Sequence, residues 1–264
     1  MIFTSPSQII FTVFGVNIYF YGVIMALAIC AGTLVSDWIG TKYFSLKKET
    51  IIDMAPFLIV FGLIGARLYY CLMDFNFYCR FPSEILALRH GGLSIHGAII
   101  GGFIGLLLFA KIKKLSWKKL CDISSLGLVL GQSIGRWGNF FNSEAYGLPT
   151  DLPWKLYIQP QYRQVPYLDN EYFHPTFLYE SILDLLIFII LVILVRKKIN
   201  FHEGNLALIY LILYSVARIL VESFRIDSVR YIFDVPVAII MSRSIIVISI
   251  VLLFFSFINN KRKA

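Results

Sequence analysis

The sequence predicts an all-α polytopic membrane protein with seven transmembrane helices. Of its 264 residues, 58% are hydrophobic, and the mean hydropathy is +0.74. Apolar runs long enough to cross a bilayer recur along the chain, and in lipid only helices or closed barrels satisfy the backbone polar groups. Because these runs are continuous rather than alternating, helices are indicated. We expect one integral domain over residues 1–264, since no polar segment is large enough to fold alone.

The spans follow from the positions of the apolar runs. No Lys or Arg precedes Lys42, so the N-terminus lacks the positive region of a cleaved signal peptide and is expected to lead into an uncleaved first span. The seven spans are predicted at Asn17–Gly40, Ile51–Met73, Leu93–Ala110, Cys121–Phe141, Thr176–Val195, Gly204–Phe224 and Pro236–Ile258.

Basic residues indicate how these helices are oriented. Fourteen Lys and Arg residues follow the first, third, fifth and last spans, and six lie in the alternate connections. Positive loops stay on the cytoplasmic side, so the N-terminus is predicted outside and the C-terminus in the cytoplasm. The fourteen are Lys42, Lys47, Lys48, Lys111, Lys113, Lys114, Lys118, Lys119, Arg196, Lys197, Lys198, Lys261, Arg262 and Lys263; the six are Arg80, Arg89, Lys155, Arg163, Arg225 and Arg230. This clustering between spans also argues against a nucleic-acid partner, despite the formal charge of +8.

Polar side chains crowd the end of the fourth predicted span. The stretch Gly135–Glu144 contains Arg136, Asn139, Asn142 and Glu144. An ionisable residue within a membrane span is costly and is a functional-site hypothesis by default. One isolated arginine would be explained by a helix end whose side chain reaches the interface. Four polar side chains at one exit point favour a site instead.

Residue counting places other polar groups at the same depth. At roughly 1.5 Å per residue, Arg136 and Arg218 lie about 20 Å from the inner face, and Arg67 lies at a similar depth. By the predicted orientation, four more polar residues lie near the outer surface: Tyr21, His96, Glu180 and Arg243. The sequence therefore predicts a polar cavity that opens to the outer leaflet.

Two of these residues have a structural alternative. A lone histidine in a membrane helix is often explained by a hydrogen bond to a neighbour, but the depth that His96 shares with Arg136 favours a site role. Glu180 either stabilises the N-terminus of its helix, where Thr176 is the predicted N-cap, or completes the cavity. Both interpretations of Glu180 remain open from the sequence.

The sixth span carries a charged sequence with two interpretations. Arg218 and Glu222 lie four residues apart on one helix face, and Arg225 follows three residues later. A structural ion pair is one explanation, because a buried charge needs a partner. A basic ladder for an anionic headgroup is the other, and the presence of Arg136 favours it.

The remaining features are the longest polar connection, the cysteines and the metal-binding motifs. Residues 142–175, between the fourth and fifth spans, are the longest polar connection and are expected to form a small external head. The four cysteines have no metal-ligand spacing; they are interpreted as packing residues, with a Cys71–Cys79 pair left open. Neither an HExxH nor a CxxC motif occurs, so we expect no metal and no cofactor.

The run Gly135–Glu144 resembles the signature of the prolipoprotein diacylglyceryl transferase family, membrane enzymes of bacterial lipoprotein maturation. Five further motifs match in order: Tyr21-Gly22, Gly65-Ala66-Arg67-Leu68-Tyr69, the segment Gly91–Gly97, the segment His174–Glu180 and the segment Arg218–Arg225. Ala98 departs from the pattern, since the family often has a second glycine there. The resemblance covers nearly the whole chain.

The resemblance implies transfer of the diacylglyceryl unit of phosphatidylglycerol to the lipobox cysteine of an exported prolipoprotein. The site would face the outer leaflet of the bacterial cytoplasmic (inner) membrane, and glycerol 1-phosphate would be released. Arg136 and Arg218 are the catalytic arginines by this resemblance, and His96 is the candidate base, with an arginine-assisted route or a lipid-phosphate base as alternatives. The residues expected to bind substrate are Tyr21, Arg67, Asn139, Asn142, Glu144, Gly147, Glu180, Glu222 and Arg225.

Three other classes of protein are less well supported. A transporter or flippase would show internal repeats, and none is evident between the two halves. An intramembrane protease would need a nucleophile segment such as GxSxG or a metal pair. A purely structural assembly protein would leave the arginines unexplained.

Overall fold

Each predicted span contains one long helix. The computed structural model describes residues 2–87, 91–197, 202–226, 231–232 and 234–261. Its helices are α1 (Phe20–Tyr43), α2 (Thr50–Met73), the short α3 (Phe75–Arg80), α4 (Ile95–Lys113), α5 (Trp117–Asn142), α6 (Thr176–Arg196), α7 (Asn205–Glu222) and α8 (Val237–Lys261). Five of the basic residues used for orientation lie outside the described ranges: Arg89, Lys198, Arg230, Arg262 and Lys263.

Six of these helices are long and apolar enough to cross a membrane. They are α1, α2, α4, α6, α7 and residues Val237–Ile258 of α8. The helix α5 is not among them, because polar residues such as Gln132, Arg136 and Asn139 interrupt its apolar sequence. The chain is therefore a mostly helical, multi-pass membrane protein, and its seventh span remains a prediction.

The N-terminal segment forms strands before the first helix. After β1 (Phe3–Thr4), strands β2 (Ile9–Val13) and β3 (Val16–Tyr19) form an antiparallel hairpin. Its two-residue turn, Phe14-Gly15, has φ values of 48° and 78°, as hairpin turns of this length require. The predicted helical start at Asn17 is wrong, because residues 17–19 pair with β2.

The chain divides into two compact units. The first comprises Met1–Val35 and Ser125–Ala264, and the second comprises Ser36–Ser124. Whether the protein acts as one domain, as expected from the sequence, stays a prediction.

The head segment, residues 142–175, lies in the first unit. Its strands β4 (Leu156–Tyr157) and β5 (Tyr172–Phe173) pair antiparallel, and β1 pairs in parallel with β4. A hairpin of β6 (Tyr231–Ile232) and β7 (Val235–Pro236) precedes α8, and α7 packs on both α6 and α8. A hydrophobic core joins the head to the ends of α5 and α6, and it consists of Phe140, Tyr146, Leu156, Ile158, Phe173 and Phe177.

In the second unit, α2 and α4 pack with their backbones in close contact. A Cβ on Gly65 would lie 2.9 Å from the Cα of Gly101, so glycine is what allows this approach. Asp37 of α1 satisfies the start of α2, since its carboxylate accepts the backbone N–H groups of Glu49 and Ile51, both at 3.0 Å.

The cysteine question left open by the sequence has an answer in the structure. Cys30, Cys71, Cys79 and Cys121 are all free thiols. Cys71 is buried and Cys79 is exposed, and they form no disulfide with each other.

Candidate functional site

Glu180 accepts ion pairs from three arginines. Its Oε1 lies 2.8 Å from Nη1 of Arg225 and 3.4 Å from Nη1 of Arg218, and its Oε2 contacts Nη2 of Arg136. The Glu180 side chain is only 6% exposed. The carboxylate therefore does more than stabilise the N-terminus of α6, because it gathers guanidinium groups from α5, from α7 and from the segment after α7.

Glu222 provides the second carboxylate of this group. Its Oε2 lies 2.7 Å from Nη2 of Arg218, one helical turn away on α7. We call Arg136, Glu180, Arg218, Glu222 and Arg225 the arginine cluster. Its three cations and two anions carry a net charge of +1, so the cluster is suited to attract one further anion.

The helix ends explain why these residues meet. Arg136 lies near the end of α5, Glu180 near the start of α6, and Arg218 in the last two turns of α7. Consecutive helices that alternate in direction bring such ends to one side of the molecule. After α7 the chain turns tightly, with Arg225 donating its backbone N–H to the carbonyl of Glu222 at 3.1 Å, which returns the Arg225 side chain to Glu180.

Gly147 fastens this turn to the head. It forms an antiparallel bridge with Arg225 and donates its N–H to the carbonyl of His174 at 2.9 Å. A Cβ at Gly147 would lie 2.6 Å from the Phe224 carbonyl oxygen and 2.9 Å from Cγ2 of Thr176. Only glycine allows these three backbone segments to come so close.

The predicted rim residues form a second polar group. Asn139 and Asn142 both donate side-chain N–H groups to Oε1 of Glu144, at 2.9 and 3.3 Å. Glu144 is exposed, and its neighbours Ser143 and Ala145 have φ values of 53° and 54°. Non-glycine residues in this conformation cost roughly 1–3 kcal/mol each and concentrate at functional sites.

Tyr21 lies beside both groups. Its ring packs on the backbone of Gly138, where a Cβ would lie 2.8 Å from the Tyr21 Cδ2 atom. The Tyr21 hydroxyl interacts electrostatically with Glu144 and with Arg136. The first-helix residue and the fourth-span signature are therefore neighbours.

The segment before α6 differs from the sequence-based prediction. Pro175, not Thr176, is the N-cap of α6. Thr176 is fully buried, and its hydroxyl donates to the Ala145 carbonyl instead. The prediction was wrong because this hydroxyl has a partner from the head, 31 residues earlier in the chain.

His174 is tied to the same segment by its side chain. Its Nδ1 shares a hydrogen bond of 3.1 Å with the Tyr179 hydroxyl, which also accepts the indole N–H of Trp154 at 3.0 Å. Burial lowers the pKa of the His174 imidazole from its usual 6.5.

Arg67, in the second unit, uses its guanidinium on backbone carbonyls. It donates to Ile85 at 2.9 Å, to Gly91 at 2.7 Å and to Gly92 at 2.8 Å, and it is 5% exposed. Its role in substrate binding stays a prediction. The hydrogen bonds that it makes hold the backbone between α3 and α4.

His96 and Arg243 are both exposed. His96 is the second residue of α4, and its ring centroid lies 6.0 Å from that of Tyr69. Arg243 lies on α8. The proximity of His96 and Arg67 to Arg136 stays a prediction, since they belong to the other unit.

A polar layer beneath the arginine cluster was not predicted from the sequence. Asp184, one turn after Glu180, is 2% exposed, and its carboxyl group lies within electrostatic range of Arg136, Glu180, Tyr210 and Tyr214. The Tyr210 hydroxyl donates to Oε1 of Gln132 at 3.0 Å. The helical period was the available signal, because Asp184 and Gln132 lie four residues from Glu180 and Arg136, respectively.

An apolar cavity of about 420 Å³ lies between α1, α5 and α6. Its lining includes Trp137, next to Arg136 in the chain, and Ser181, next to Glu180. Ser133 and Ser181 also line it, and their hydroxyls donate to each other's carbonyls, both at 2.8 Å. Among the described residues, no group of three or more His, Cys, Asp or Glu side chains could hold a metal ion.

Comparison with known proteins finds one family. The model of the family "Prolipoprotein diacylglyceryl transferase" matches residues 8–255. A phosphatidylglycerol–prolipoprotein diacylglyceryl transferase from Acaryochloris marina is 44% identical over 227 residues, covering 86% of this chain and 82% of the relative. Proteins of the same name from Parasynechococcus marenigrum (44% over 229 residues; 85% and 82% covered) and Nostoc sp. (41% over 231 residues; 86% and 81%) are similar to the same extent.

Proposed function

Because this chain belongs to the prolipoprotein diacylglyceryl transferase family, we propose that it transfers the diacylglyceryl group of phosphatidylglycerol to a lipobox cysteine. A bond forms between the cysteine sulfur and the terminal glyceryl carbon. The bond between that carbon and the phosphate oxygen breaks, and the oxygen keeps the electron pair. The products are a thioether-linked prolipoprotein and glycerol 1-phosphate.

The observation that carries this proposal is the convergence of three guanidinium groups on Glu180. A phosphodiester carries one negative charge, which matches the net charge of +1 on the arginine cluster. Planar guanidinium groups bind phosphate oxygens through paired N–H donors. Glu180 keeps the three groups together while no lipid is bound, and a phosphate competes with it for the same donors.

The same donors stabilise the leaving group. As the carbon–oxygen bond breaks, negative charge grows on the phosphate, and Arg136 and Arg218 neutralise it. Donors that are already in place cost no reorganisation during the reaction, and the loss of one such donor slows comparable reactions by about 10²–10³-fold. Glu222 and Glu180 fix the position of Arg218 from two sides.

The rim residues position the substrates. We propose that Asn139, Asn142 and Glu144 bind the polar headgroup of the lipid and the peptide, because they form one hydrogen-bonded group beside Tyr21. Gly147 and Arg225 stabilise one side of the site, because their bridge joins the head to the turn after α7. Arg67 contributes indirectly, because it holds the backbone carbonyls between α3 and α4 in position.

The thiol must lose its proton, because the thiolate is the stronger nucleophile. His96 is our candidate base, since histidine exchanges protons near working pH. The alternatives are an arginine-assisted route and the lipid phosphate itself. In each case the proton ends on solvent or on the released phosphate monoester.

The membrane arrangement is part of the proposal. We place seven spans in the bacterial cytoplasmic membrane, with the N-terminus outside and the site in the outer leaflet. Basic residues in the last turns of α1, α4 and α6 support this orientation, and the one in α6, Arg196, lies at the end of that helix opposite Glu180. The apolar cavity, which is lined by the chain neighbours of Arg136 and Glu180, suits an acyl chain of the lipid.

An assay of the purified protein with phosphatidylglycerol vesicles and a lipobox peptide tests this function. We expect a mass increase of one diacylglyceryl group on the cysteine, and no increase on a matched peptide with serine in its place. Cleavage of the peptide would indicate a protease, and lipid translocation without modified peptide would indicate a transporter.

A further inference from the structure

A second cavity, of about 300 Å³, lies between the N-terminal segment and the head. Three segments of the first unit contribute to its walls: residues 5–9, the end of α5 and the head. We call it the head cavity. No step of the proposed reaction uses it so far. Its volume is at the lower end of the range for ligand pockets, so it suits a short piece of chain rather than a whole lipid.

The lining of the head cavity is polar and neutral. None of the described residues that line it is charged. The side chains with hydroxyl or amide groups include Ser5, Ser7, Gln8, Ser143 and Gln159. Without a cation in its walls, the cavity offers a phosphate no charge to pair with. Hydroxyl and amide groups match a peptide backbone instead, which presents both donors and acceptors.

Two lining side chains have unused hydrogen-bonding capacity. Ser143 is only 6% exposed, and its hydroxyl bonds to no other residue that the structure describes. The Oε1 atom of Gln159 accepts an N–H of Gln161 at 2.8 Å, while its own NH₂ group is not bonded within the described ranges. Buried polar groups are normally hydrogen-bonded, so a ligand in the cavity is the expected partner of Ser143.

The head cavity adjoins the rim of the reaction site. Ser143 lies between the rim residues Asn142 and Glu144 in the chain. The Asn142 carbonyl accepts an N–H of the Gln8 side chain at 3.3 Å, which joins the rim to the N-terminal wall. Consecutive Cα atoms are about 3.8 Å apart, so the cavity begins about one residue from the rim. A peptide held at the rim therefore reaches the cavity within its next few residues.

The direction of the peptide follows from the proposed membrane arrangement. An exported protein carries its apolar signal segment before the processing site, and this segment stays in the bilayer. The head cavity lies beyond the helices, where the N-terminal segment and the head meet the end of α5. The residues after the cysteine, not those before it, are directed toward the cavity.

We propose that the head cavity binds the backbone of the two or three residues that follow the cysteine of the prolipoprotein. The Gln159 amide donates to a peptide carbonyl, and the Ser143 hydroxyl bonds to a neighbouring backbone group. Recognition of the backbone allows different sequences after the cysteine. This inference rests on the proposed function, since it locates part of the second substrate of that reaction.

The first test uses the wild-type enzyme with two lipobox peptides, at saturating phosphatidylglycerol. The short peptide ends at an amidated cysteine, and the long peptide continues with three alanines, which add mainly backbone groups. We expect the KM of the long peptide to be about tenfold lower, because it gains hydrogen bonds in the head cavity. Equal KM values for the two peptides would overturn the inference.

The second test repeats both peptides with S143A, Q159A and a control, Q164A. Gln164 is an exposed glutamine of the head that does not line the cavity. We expect S143A and Q159A each to raise the KM of the long peptide about fivefold and to leave that of the short peptide within about twofold. Q164A should change neither. A purely structural role would affect both peptides alike, so equal effects on the two peptides, or no effect on either, contradict the assignment.

The two proposals fail in different ways. If the wild-type enzyme modifies neither peptide, the proposed function fails. If it modifies both with the same KM, the proposed function stands and only the assignment of the head cavity falls. This comparison needs no variant, so it decides the inference also where S143A or Q159A does not accumulate.

Discussion

Gly147 and Arg225 face each other across an antiparallel bridge, and this pairing joins the head to the turn after α7. The Arg225 side chain reaches Glu180 from this turn at 2.8 Å. A small residue in the head therefore determines where a guanidinium lies in the arginine cluster. The relationship connects backbone packing directly to the charge of the site.

The variant G147A tests this connection. The added Cβ would lie 2.6 Å from the Phe224 carbonyl oxygen, so the turn must move and carry Arg225 with it. We expect transfer activity to fall at least about tenfold, with a stability loss of about 1–3 kcal/mol from overpacking. The matched control is G102A, whose Cβ meets only the Leu58 carbonyl at 3.9 Å and should leave activity unchanged. Equal activities of the two variants would refute the packing argument.

The variant R136K separates charge from geometry. Lysine keeps the positive charge but lacks the planar pair of donors that a phosphate accepts. We expect transfer to fall by about 10²-fold or more, with normal abundance in membranes. The control is R243K on the exposed side of α8, which should retain its activity. Turnover of R136K near the wild-type level would remove Arg136 from the mechanism.

The variant E180Q tests the role of the central carboxylate. Its loss leaves three guanidinium groups to repel one another, and breaking such a buried pair costs roughly 3–5 kcal/mol of stability. Inorganic phosphate should then occupy the emptied position and raise the Tm of E180Q more than that of wild type, through binding to the folded state. Sodium chloride at equal ionic strength, and the exposed variant E171Q, serve as controls. An equal phosphate response in E180Q and wild type would contradict this assignment.

His96 as the base is tested by H96Q. Glutamine keeps a polar side chain of similar size but cannot accept the thiol proton at working pH. We expect kcat to fall by about 10²-fold, as is typical when a general base is removed. A higher pH deprotonates the peptide thiol without help from a base, so it should restore part of the activity of H96Q. Substantial activity of H96Q at neutral pH would exclude an obligatory histidine base.

The lowered pKa of His174 makes the stability depend on pH. Burial favours the neutral imidazole in the folded state, whereas the unfolded chain takes up a proton as the pH falls through 6.5. The contribution of His174 is therefore fully present above this pH and is lost as the pH falls toward the folded-state pKa. Between about pH 8 and pH 5, the Tm of wild type should fall more steeply than that of H174Q, which binds no proton there. Parallel pH profiles of the two proteins would contradict a partly buried His174 that is neutral in the folded state.

Positions along the helices were sufficient to predict which of several charged residues lie near one another. Counting along the helices placed Arg136, Arg218 and Glu180 at related depths, and the structure joins them at one carboxylate. The spacing of Arg218 and Glu222 predicted a shared helix face, and they form an ion pair. These relations depend on positions within a helix, which a sequence shows directly.

Contacts between distant segments could not be found in this way. The pairing of β1 with β4, the bond from Thr176 to the Ala145 carbonyl and the carbonyl partners of Arg67 all involve backbone groups, which every residue carries. No residue pattern identifies such partners. Asp184 was different, because it stands in an apolar span four residues after Glu180 and the helical period would have revealed it.

A structure of this protein with bound phosphatidylglycerol tests the phosphate site most directly. We expect the headgroup phosphate at hydrogen-bond distance, about 2.7–3.2 Å, from guanidinium nitrogens of Arg136 and Arg218, with Glu180 displaced or sharing them. A phosphate bound elsewhere, with all three arginines still paired to Glu180, would contradict it.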